Sequence, residues 1–345
     1  MTRPRLAAPW ALVVALFFSP GLQAGDFPFA SVQAAIDAAS PGDVIDVPAG
    51  VWVGDVDFGG KAVTVRGAGV HTVLQGTGSG PVVTFQSGEG SDSVLDSVTV
   101  TGGRASSGGG VLIDGASPTL VRCTIVGNRA MSSGSGIQVR GGGTPLIFNN
   151  VVSFNGRDGP GDPHGIQVSS SAPALVNNTI VRNDSNGIFL SGDAPATVVG
   201  NLIAWNGSRV GGTARGRGIC DFSGGQSTLR NNLFHKNRVS AILRSGKDWR
   251  RIAAFQKQNP DDTGVEGNVD GNPGYFRRPP KDVAALSCLD LLVCDTRPGR
   301  AVDAGCEDAG CEDLDGSRNT VGHGGGPFAT GSRDVPDVTA CGVGG

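Results

Sequence analysis

An internal repeat in the middle of the chain constrains its fold more than any other feature. Five copies share one pattern: Gly followed by Val or Ile, a short loop usually closed by Pro, a few apolar residues, and two polar positions five residues apart. The copies begin at Gly110, Gly136, Gly165, Gly187 and Gly218, at intervals of 22 to 31 residues. A unit of this size cannot bury its own apolar face, so each copy must stack on its neighbours.

Asn occupies nearly all of the paired polar positions. The pairs are Cys123 and Asn128, Asn150 and Asn155, Asn178 and Asn183, Asn201 and Asn206, and Asn232 and Asn237. Asn tolerates the left-handed conformation that a tight corner between two strands requires. When Asn residues stack at about 4.8 Å, each amide can also bond the next one. The repeat therefore predicts three short strands in each copy, wound as a coil with stacked Asn amides at its corners.

Composition agrees with a chain rich in strands and turns. The 345 residues include 57 Gly and 20 Pro, which disfavour a helical bundle because Gly costs about 1 kcal/mol and Pro about 3 kcal/mol in a helix interior. The hydrophobic fraction of 38% argues against disorder, and the Gly residues lack the period of collagen. A net charge of −3 lacks the basic surplus that nucleic-acid binding requires, so we predict no nucleic-acid partner.

The first 24 residues have the form of a secretory signal peptide. Arg3 and Arg5 precede an apolar run from Ala11 to Phe18, and Ala24 precedes the expected mature start at Gly25. The run is shorter than the roughly 20 apolar residues of a spanning helix, and no later segment approaches that length. We therefore predict a secreted, soluble monomer, extracellular or periplasmic, with no membrane span.

These patterns resemble the right-handed parallel β-helix of the pectate-lyase-like superfamily. In that superfamily an Asn ladder follows the corner between the second and third strands, where Asn150, Asn178, Asn201 and Asn232 stand in this repeat. The resemblance covers roughly residues 28–320 and implies an all-β solenoid. A short helix capped by Ser31 would close its N-terminal end. The architecture hosts lyases, hydrolases, esterases, epimerases and non-catalytic surface proteins, so the resemblance does not identify an activity.

The predicted organisation follows from the repeat. Residues 25–60 would form the N-terminal cap and the entry to the first coil, residues 61–245 the parallel β-helix, and residues 246–345 a C-terminal capping helix and a Cys-rich tail. Five of the seven Cys residues lie in this tail, namely Cys288, Cys294, Cys306, Cys311 and Cys341. Because disulfides persist in exported proteins, we predict a disulfide-stapled irregular tail, with its connectivity open. Its acidic residues lack the spacing of an EF-hand loop, so we predict no cofactor and leave calcium open.

The repeat also indicates where a ligand would bind. Insertions gather between the second Asn of one copy and the Gly of the next, and in solenoids such insertions often surround the binding face. In pectate lyases the loops at this position, together with the outward side chains of the following strand, form the sugar cleft. Period-two alternation turns the side chains of Gln138 and Gln167 outward, beside Asp114 and Arg140. The predicted substrate-binding residues are Gln138, Gln167, Asp114, Arg157, Asp158, Arg215 and Arg217.

The candidate catalytic residues are Arg140, His164 and Asp162. The pKa of an unperturbed His lies near neutrality, so His164 could transfer a proton. Arg pairs bidentately with carboxylates, so this set of side chains suits a hydroxyl-rich or uronate polymer. The sequence thus predicts a protein that binds extracellular polysaccharide. If it is an enzyme, it is a polysaccharide lyase or a glycoside hydrolase.

Simpler interpretations remain open for each of these residues. Asp114 and Arg140 could form an ordinary surface ion pair, and His164 could be an exposed residue of a Gly-rich loop. Phe154, Arg182 and Trp205 fall in one column of the repeat, either as corner packing or as a sugar platform. The alternative function is a non-catalytic cell-surface or adhesion module. Convergence of Arg140, His164 and the carboxylates within about 3–4 Å of one point would favour an enzyme, and scattered side chains would favour the module.

Overall fold

The computed structural model describes residues 27–207, 216–224, 226–259 and 264–271. Within these ranges the chain forms strands β1 to β30, numbered along the sequence, two α-helices and one 3₁₀ helix, Gly69–His71. Helix α1 is Val32–Ala38 and helix α2 is Ile252–Gln258. In the ranges described, no helix is long and apolar enough to cross a membrane.

Three sheets of nine strands run the length of the molecule. Sheet I, made by the first strand of each copy, contains β3 (Val56–Asp57), β6 (Val83–Phe85), β10 (Val111–Asp114), β14 (Ile137–Arg140), β18 (Ile166–Ser169), β21 (Ile188–Ser191), β24 (Ile219–Phe222), β27 (Ile242–Arg244) and β28 (Lys247–Trp249). Sheet II contains β1 (Val44–Val47), β4 (Thr64–Gly67), β7 (Val94–Asp96), β11 (Thr119–Val121), β15 (Leu146–Phe148), β19 (Ala174–Val176), β22 (Thr197–Val199), β25 (Thr228–Arg230) and β29 (Val265–Glu266). Sheet III contains β2 (Gly50–Val53), β5 (Thr72–Gln75), β8 (Thr99–Thr101), β12 (Thr124–Val126), β16 (Val151–Ser153), β20 (Thr179–Val181), β23 (Leu202–Ala204), β26 (Leu233–His235) and β30 (Val269–Asp270).

Successive copies pair in parallel in all three sheets. In sheet I, for example, Ile137 of β14 pairs with Ile166 of β18, which pairs with Ile188 of β21. In the part of the chain described, β27 and β28 form the one antiparallel pair. A fourth, three-stranded sheet joins the insertions: β9 (Arg104–Ser107), β13 (Arg129–Ser133) and β17 (Gly156–Arg157). The predicted parallel solenoid is confirmed.

The apolar core fills the inside of the coil. In sheet I the side chains of Ile113, Val139 and Val168 are almost completely buried, as the alternation along the strands predicted. The sheets begin with β1 to β3, inside the region 25–60 that was predicted as a cap and entry. They end with β29 and β30, beyond residue 245.

Two Asn ladders run along the corners of the coil. The predicted ladder of Asn150, Asn178, Asn201 and Asn232 is present, and it continues to Asn268. At its other end the Cys123 N–H donates to Asn150 Oδ1 at 2.9 Å. The second ladder, at the corner before sheet I, contains Asn128, Asn155, Asn183, Asn206 and Asn237. The five-residue interval is therefore the distance between two ladders on either side of a sheet III strand.

The prediction that the ladder Asn residues adopt the left-handed conformation was wrong by one position. The residue before each ladder position has the positive φ instead: 54° at Arg122, 51° at Asn177 and 52° at Trp205. The ladder Asn contributes its amide, and the preceding residue makes the turn. At the N-terminal end of the second ladder, Gly103 donates its N–H to Asn128 Oδ1 at 3.0 Å.

The Gly that opens each copy is required by the second ladder. A Cβ at Gly136 would lie 2.5 Å from the carbonyl oxygen of Gly165 and 2.9 Å from Asn155 Nδ2. Gly187 has the same surroundings, with Gly218 O at 2.8 Å and Asn206 Nδ2 at 2.9 Å. A side chain at this position would push adjacent copies apart.

The ends of the coil are closed in different ways. At the N-terminus, Ser31 Oγ accepts the Ala34 N–H at 3.1 Å, and Val32, Ala35 and Ile36 of α1 pack on the core, which confirms the predicted capping helix. At the C-terminus, α2 begins at Ile252, after β28. The five Cys residues of the predicted tail lie outside the described residues, whereas Cys123 and Cys220 are buried free thiols.

The core of the last coils contains an ion pair in place of apolar side chains. Asp221 and Arg244 continue the inward column of Val168 and Leu190 in sheet I. Arg244 Nη1 lies 3.1 Å from Asp221 Oδ2, and the two side chains are 2% and 0% exposed. Ser223 donates both its N–H and its hydroxyl to Asp221 Oδ1. Each buried charge therefore has a partner of opposite sign. A charge buried in a core without such a partner would be strongly unfavourable.

Candidate functional site

Five outward side chains stand in register across sheet I. Asp114, Arg140, Ser169, Ser191 and Phe222 occupy equivalent positions on β10, β14, β18, β21 and β24. We call this row the outer strip. Neighbouring strands are about 4.8 Å apart, so the strip presents one side chain per coil along a straight line.

The side chains of the outer strip change from charged at one end to aromatic at the other. Arg140 Nε donates to Asp114 Oδ2 at 2.8 Å, and these side chains are 44% and 36% exposed. The partly exposed hydroxyl of Ser191 donates to the Val168 carbonyl at 3.1 Å. Phe222 ends the strip with 54% of its surface exposed. An ion pair, two hydroxyls and an aromatic ring therefore follow one another on a flat surface.

Of the two glutamines that were predicted to face a ligand, Gln138 is buried and Gln167 is partly buried. They form a parallel column with Phe189, because Gln138, Gln167 and Phe189 pair across β14, β18 and β21. Gln138 is only 2% exposed. Gln167 Oε1 accepts the N–H of Gly134 at 3.2 Å, which anchors the insertion that follows β13. In this structure Gln138 and Gln167 support a loop.

His164 is buried in a polar network, whereas its simpler interpretation placed it in solvent. Its side chain is 4% exposed, and Nδ1 lies 3.1 Å from Ser185 Oγ and 3.4 Å from Asn186 Nδ2. The Ser185 hydroxyl donates to Asp162 Oδ1. Because the Ser185 proton is used in the bond to Asp162, Ser185 Oγ acts as the acceptor for His164 Nδ1–H. The 3.1 Å between these two atoms is an ordinary hydrogen-bond distance, whereas the 3.4 Å between His164 Nδ1 and Asn186 Nδ2 is long.

This network holds an aromatic ring. The imidazole of His164 stacks on Phe189 with centroids 4.5 Å apart and an angle of 11° between the planes, and Phe189 lies 5.7 Å from Phe222. The stack continues to the exposed end of the outer strip. The order Asp162, Ser185, His164 differs from that of a nucleophilic triad, in which the histidine lies between the serine and the carboxylate.

Arg140 does not join His164 and Asp162. The N–H of Ser135 donates to the His164 carbonyl at 2.7 Å, so His164 lies level with Ser135, five residues before Arg140. At about 3.3 Å per residue, this places the two backbones about 16 Å apart along the strand direction. The predicted catalytic residues therefore lie at opposite ends of the strands of sheet I.

The remaining predicted residues form ion pairs among the insertions. Asp158 makes a bidentate pair with Arg104, at 2.6 and 2.9 Å. Arg217 makes one with Asp248, at 2.6 and 2.8 Å. In each pair the guanidinium lowers the pKa of the aspartate.

Arg157 belongs to β17, and its carbonyl accepts from Arg129 Nη1 at 3.0 Å. Burial raises the pKa of the neighbouring Asp184, and Arg129 and Arg157 oppose that shift. Arg215 lies outside the described residues.

Sequence reasoning missed the residues that give the strip its aromatic end. Phe189 and Phe222 follow from the same alternation that identified Gln138 and Arg140, so the signal was present two and three copies further along the chain. Cys220 lies between them in sequence and is buried, which raises the pKa of its thiol to about 12. It is therefore protonated at neutral pH and is not a nucleophile.

The corner column of Phe154, Arg182 and Trp205 is partly buried. The Arg182 guanidinium lies over the Trp205 ring, 5.9 Å from its centroid. His235 packs edge-on against Trp205, with ring centroids 4.9 Å apart. Burial, together with Lys236, lowers the pKa of His235. These contacts favour corner packing over a sugar platform.

Acidic and metal-ligating side chains are dispersed. Across the described ranges, no group of three or more His, Cys, Asp or Glu residues could hold a metal ion. The acidic segment for which calcium was left open lies outside those ranges, so the prediction of no cofactor stays a prediction.

Comparisons with known proteins identify the fold. The chain forms a parallel β-solenoid of three sheets, and a family model described as right handed beta helix region matches residues 63–234. The protein is therefore a right-handed parallel β-helix repeat protein, as the repeat predicted. A comparison with curated proteins returned no match.

Two solved structures are similar to this chain. Pectate lyase Pel9A is 14% identical, with 85% of this chain and 90% of that chain covered and a TM-score of 0.43. A mannuronic acid specific polysaccharide family 6 lyase from human gut microbiota is 12% identical, with 61% and 73% covered and a TM-score of 0.23. Identities and scores this low bear on neither activity nor substrate.

Proposed function

We propose that this protein is an exported module that binds extracellular polysaccharide along the outer strip. The observation that carries the proposal is the exposed ring of Phe222 at the end of a straight row of hydroxyl and charged groups. A sugar ring has an apolar face that can stack on an aromatic ring, and its hydroxyls both donate and accept hydrogen bonds. The regular spacing of the coils suits a ligand that is itself a repeating chain.

Binding is favoured over cleavage by the positions of the predicted catalytic groups. An acid or base must reach the reacting atom within about 3 Å, directly or through one water. The backbone of Arg140 lies about 16 Å along the strand from that of His164, and the His164 imidazole is buried against Ser185 and Asn186. Scattered groups of this kind fit the non-catalytic alternative that the sequence left open.

Replacing Phe222 with alanine tests the proposal. We expect the F222A variant to bind its polysaccharide about tenfold more weakly, because it loses the stacking contact with the sugar ring. A tenfold loss corresponds to about 1.4 kcal/mol of binding free energy. Affinity electrophoresis or calorimetry against a panel of soluble polysaccharides would measure the change. An assay for unsaturated products on the same panel should show no absorbance increase.

The matched control is Phe29→Ala, which removes another partly exposed phenylalanine near the N-terminal helix. This variant should bind as the wild type does. Equal losses in the two variants, or wild-type binding by F222A, would rule out the outer strip as the binding surface. Product formation that a His164→Ala variant abolishes would instead establish cleavage.

A further inference from the structure

We propose that the polysaccharide bound by the outer strip is uncharged, not a uronic-acid polymer. This inference rests on the proposed function and specifies its substrate class. It comes from the way positive charge is distributed over the strip and over the insertions at the other end of the same strands.

The cation of the outer strip is already neutralised. Arg140 is its one basic residue, and Arg140 Nε lies 2.8 Å from Asp114 Oδ2 on the adjacent coil. The remaining members are Ser169, Ser191 and Phe222, which carry no charge. The strip as a whole therefore has no net charge with which to attract a carboxylate.

The described part of the insertions repeats this arrangement. Arg217 and Arg104 each hold an aspartate with two hydrogen bonds of 2.6 to 2.9 Å, Asp248 and Asp158 respectively. Such bidentate pairs occupy the fork of the guanidinium that would otherwise receive a uronate.

A uronate polymer would gain little from such a surface. Each of its carboxylates would have to compete with an aspartate already in contact with the guanidinium, or approach that aspartate at short range. Like charges brought together in this way cost binding free energy. An uncharged sugar meets no such penalty, because its hydroxyls can bond the outer oxygens and nitrogens of the ion pair while its apolar face covers Phe222.

The first experiment compares neutral and anionic polymers on the full mature chain. A soluble xylan and a soluble β-glucan represent the neutral class, and polygalacturonate and alginate the anionic class. We expect a neutral polymer to bind most tightly, with an affinity that changes less than about twofold between 0.05 and 0.5 M NaCl, since no charge is screened. The F222A variant should weaken that binding.

The second experiment removes the carboxylate that pairs with Arg140. In an Asp114→Asn variant, Arg140 loses its carboxylate partner while the strip keeps its shape, and polygalacturonate should then bind about threefold more tightly at low salt. The neutral polymer should show no such gain, because its hydroxyls carry no charge for Arg140 to attract. The matched control is Asp46→Asn, which releases Arg66 from a similar pair at 2.6 Å on sheet II and should leave the binding of both polymers unchanged.

The outcomes separate the two proposals. Wild-type binding of polygalacturonate or alginate that exceeds neutral binding and is lost in F222A would overturn the inference and leave the proposed function standing. An Asp114→Asn variant without any gain for polygalacturonate would also count against the inference. Failure of the wild type to bind any of the four polymers would contradict both proposals.

Discussion

Asn178 shows what one ladder side chain contributes. Its Nδ2 donates to the Ile147 carbonyl at 2.8 Å and to Asn201 Oδ1 at 3.0 Å, and its Oδ1 accepts the Asn150 N–H at 2.9 Å. The side chain is completely buried. One amide therefore links three consecutive coils at a position closed to solvent.

Removal of that amide should be costly. In an Asn178→Ala variant the Asn150 N–H and the Ile147 carbonyl would be left buried without this partner, at about 1–3 kcal/mol for each group. We expect the free energy of unfolding to fall by about 3 kcal/mol, measured by urea denaturation.

Cys123→Ala is the control, because Cys123 stands at the end of the same ladder and its thiol makes only weak bonds of 3.3 and 3.4 Å. It should cost about 1 kcal/mol. If both variants lose the same stability, the ladder amide contributes nothing beyond its volume.

At the scale of the strand, the spacing between coils depends on Gly. The Cβ of an alanine at position 136 would meet the Gly165 carbonyl at 2.5 Å, which is backbone and cannot move without displacing β18. We expect Gly136→Ala to destabilise the fold by about 2–3 kcal/mol through overpacking, measured by thermal or urea unfolding.

Gly90→Ala provides the comparison, since nothing lies within 4 Å of a Cβ there and its backbone is not in the positive φ region. It should change stability by no more than about 0.5 kcal/mol. A Gly136→Ala variant as stable as Gly90→Ala would show that the coils can separate at no cost.

The strands and the coil could be predicted because the repeated Asn and apolar positions indicate them directly. The positions of Asn150 and Asn178 identified a ladder, and the alternation around Ile137 and Val139 identified the inward face. The site was less accessible to sequence reasoning. Whether Gln138 and His164 are covered depends on the path of the insertions, and these have no repeat. The separation of Arg140 from His164 follows from strand register, which only the paired strands reveal.

At the scale of the whole molecule, the core changes character towards its C-terminal end. Asp221 and Arg244 take the place of the valine and leucine column inside sheet I, with side chains 0% and 2% exposed. A buried pair of this kind contributes little net stability, but either charge alone is strongly unfavourable.

Replacing one member of the Asp221–Arg244 pair should therefore change the free energy of unfolding differently from replacing both. We expect Asp221→Leu to lower the free energy of unfolding by about 3–5 kcal/mol, because Arg244 would remain buried without its carboxylate. The double variant Asp221→Leu, Arg244→Met should be about as stable as the wild type or more stable. Urea denaturation of the three proteins gives the comparison, and a double variant as unstable as the single one would contradict this account.

The register of sheet I has a consequence for how this surface can change in length. Every turn of the coil adds one residue to the outer strip, and neighbouring turns are held together by the same amides and the same close glycines throughout. Duplication of one complete copy in the gene would therefore lengthen the row by about 4.8 Å without disturbing the turns on either side. The length of ligand that the outer strip can contact would therefore increase by the same amount with each added copy.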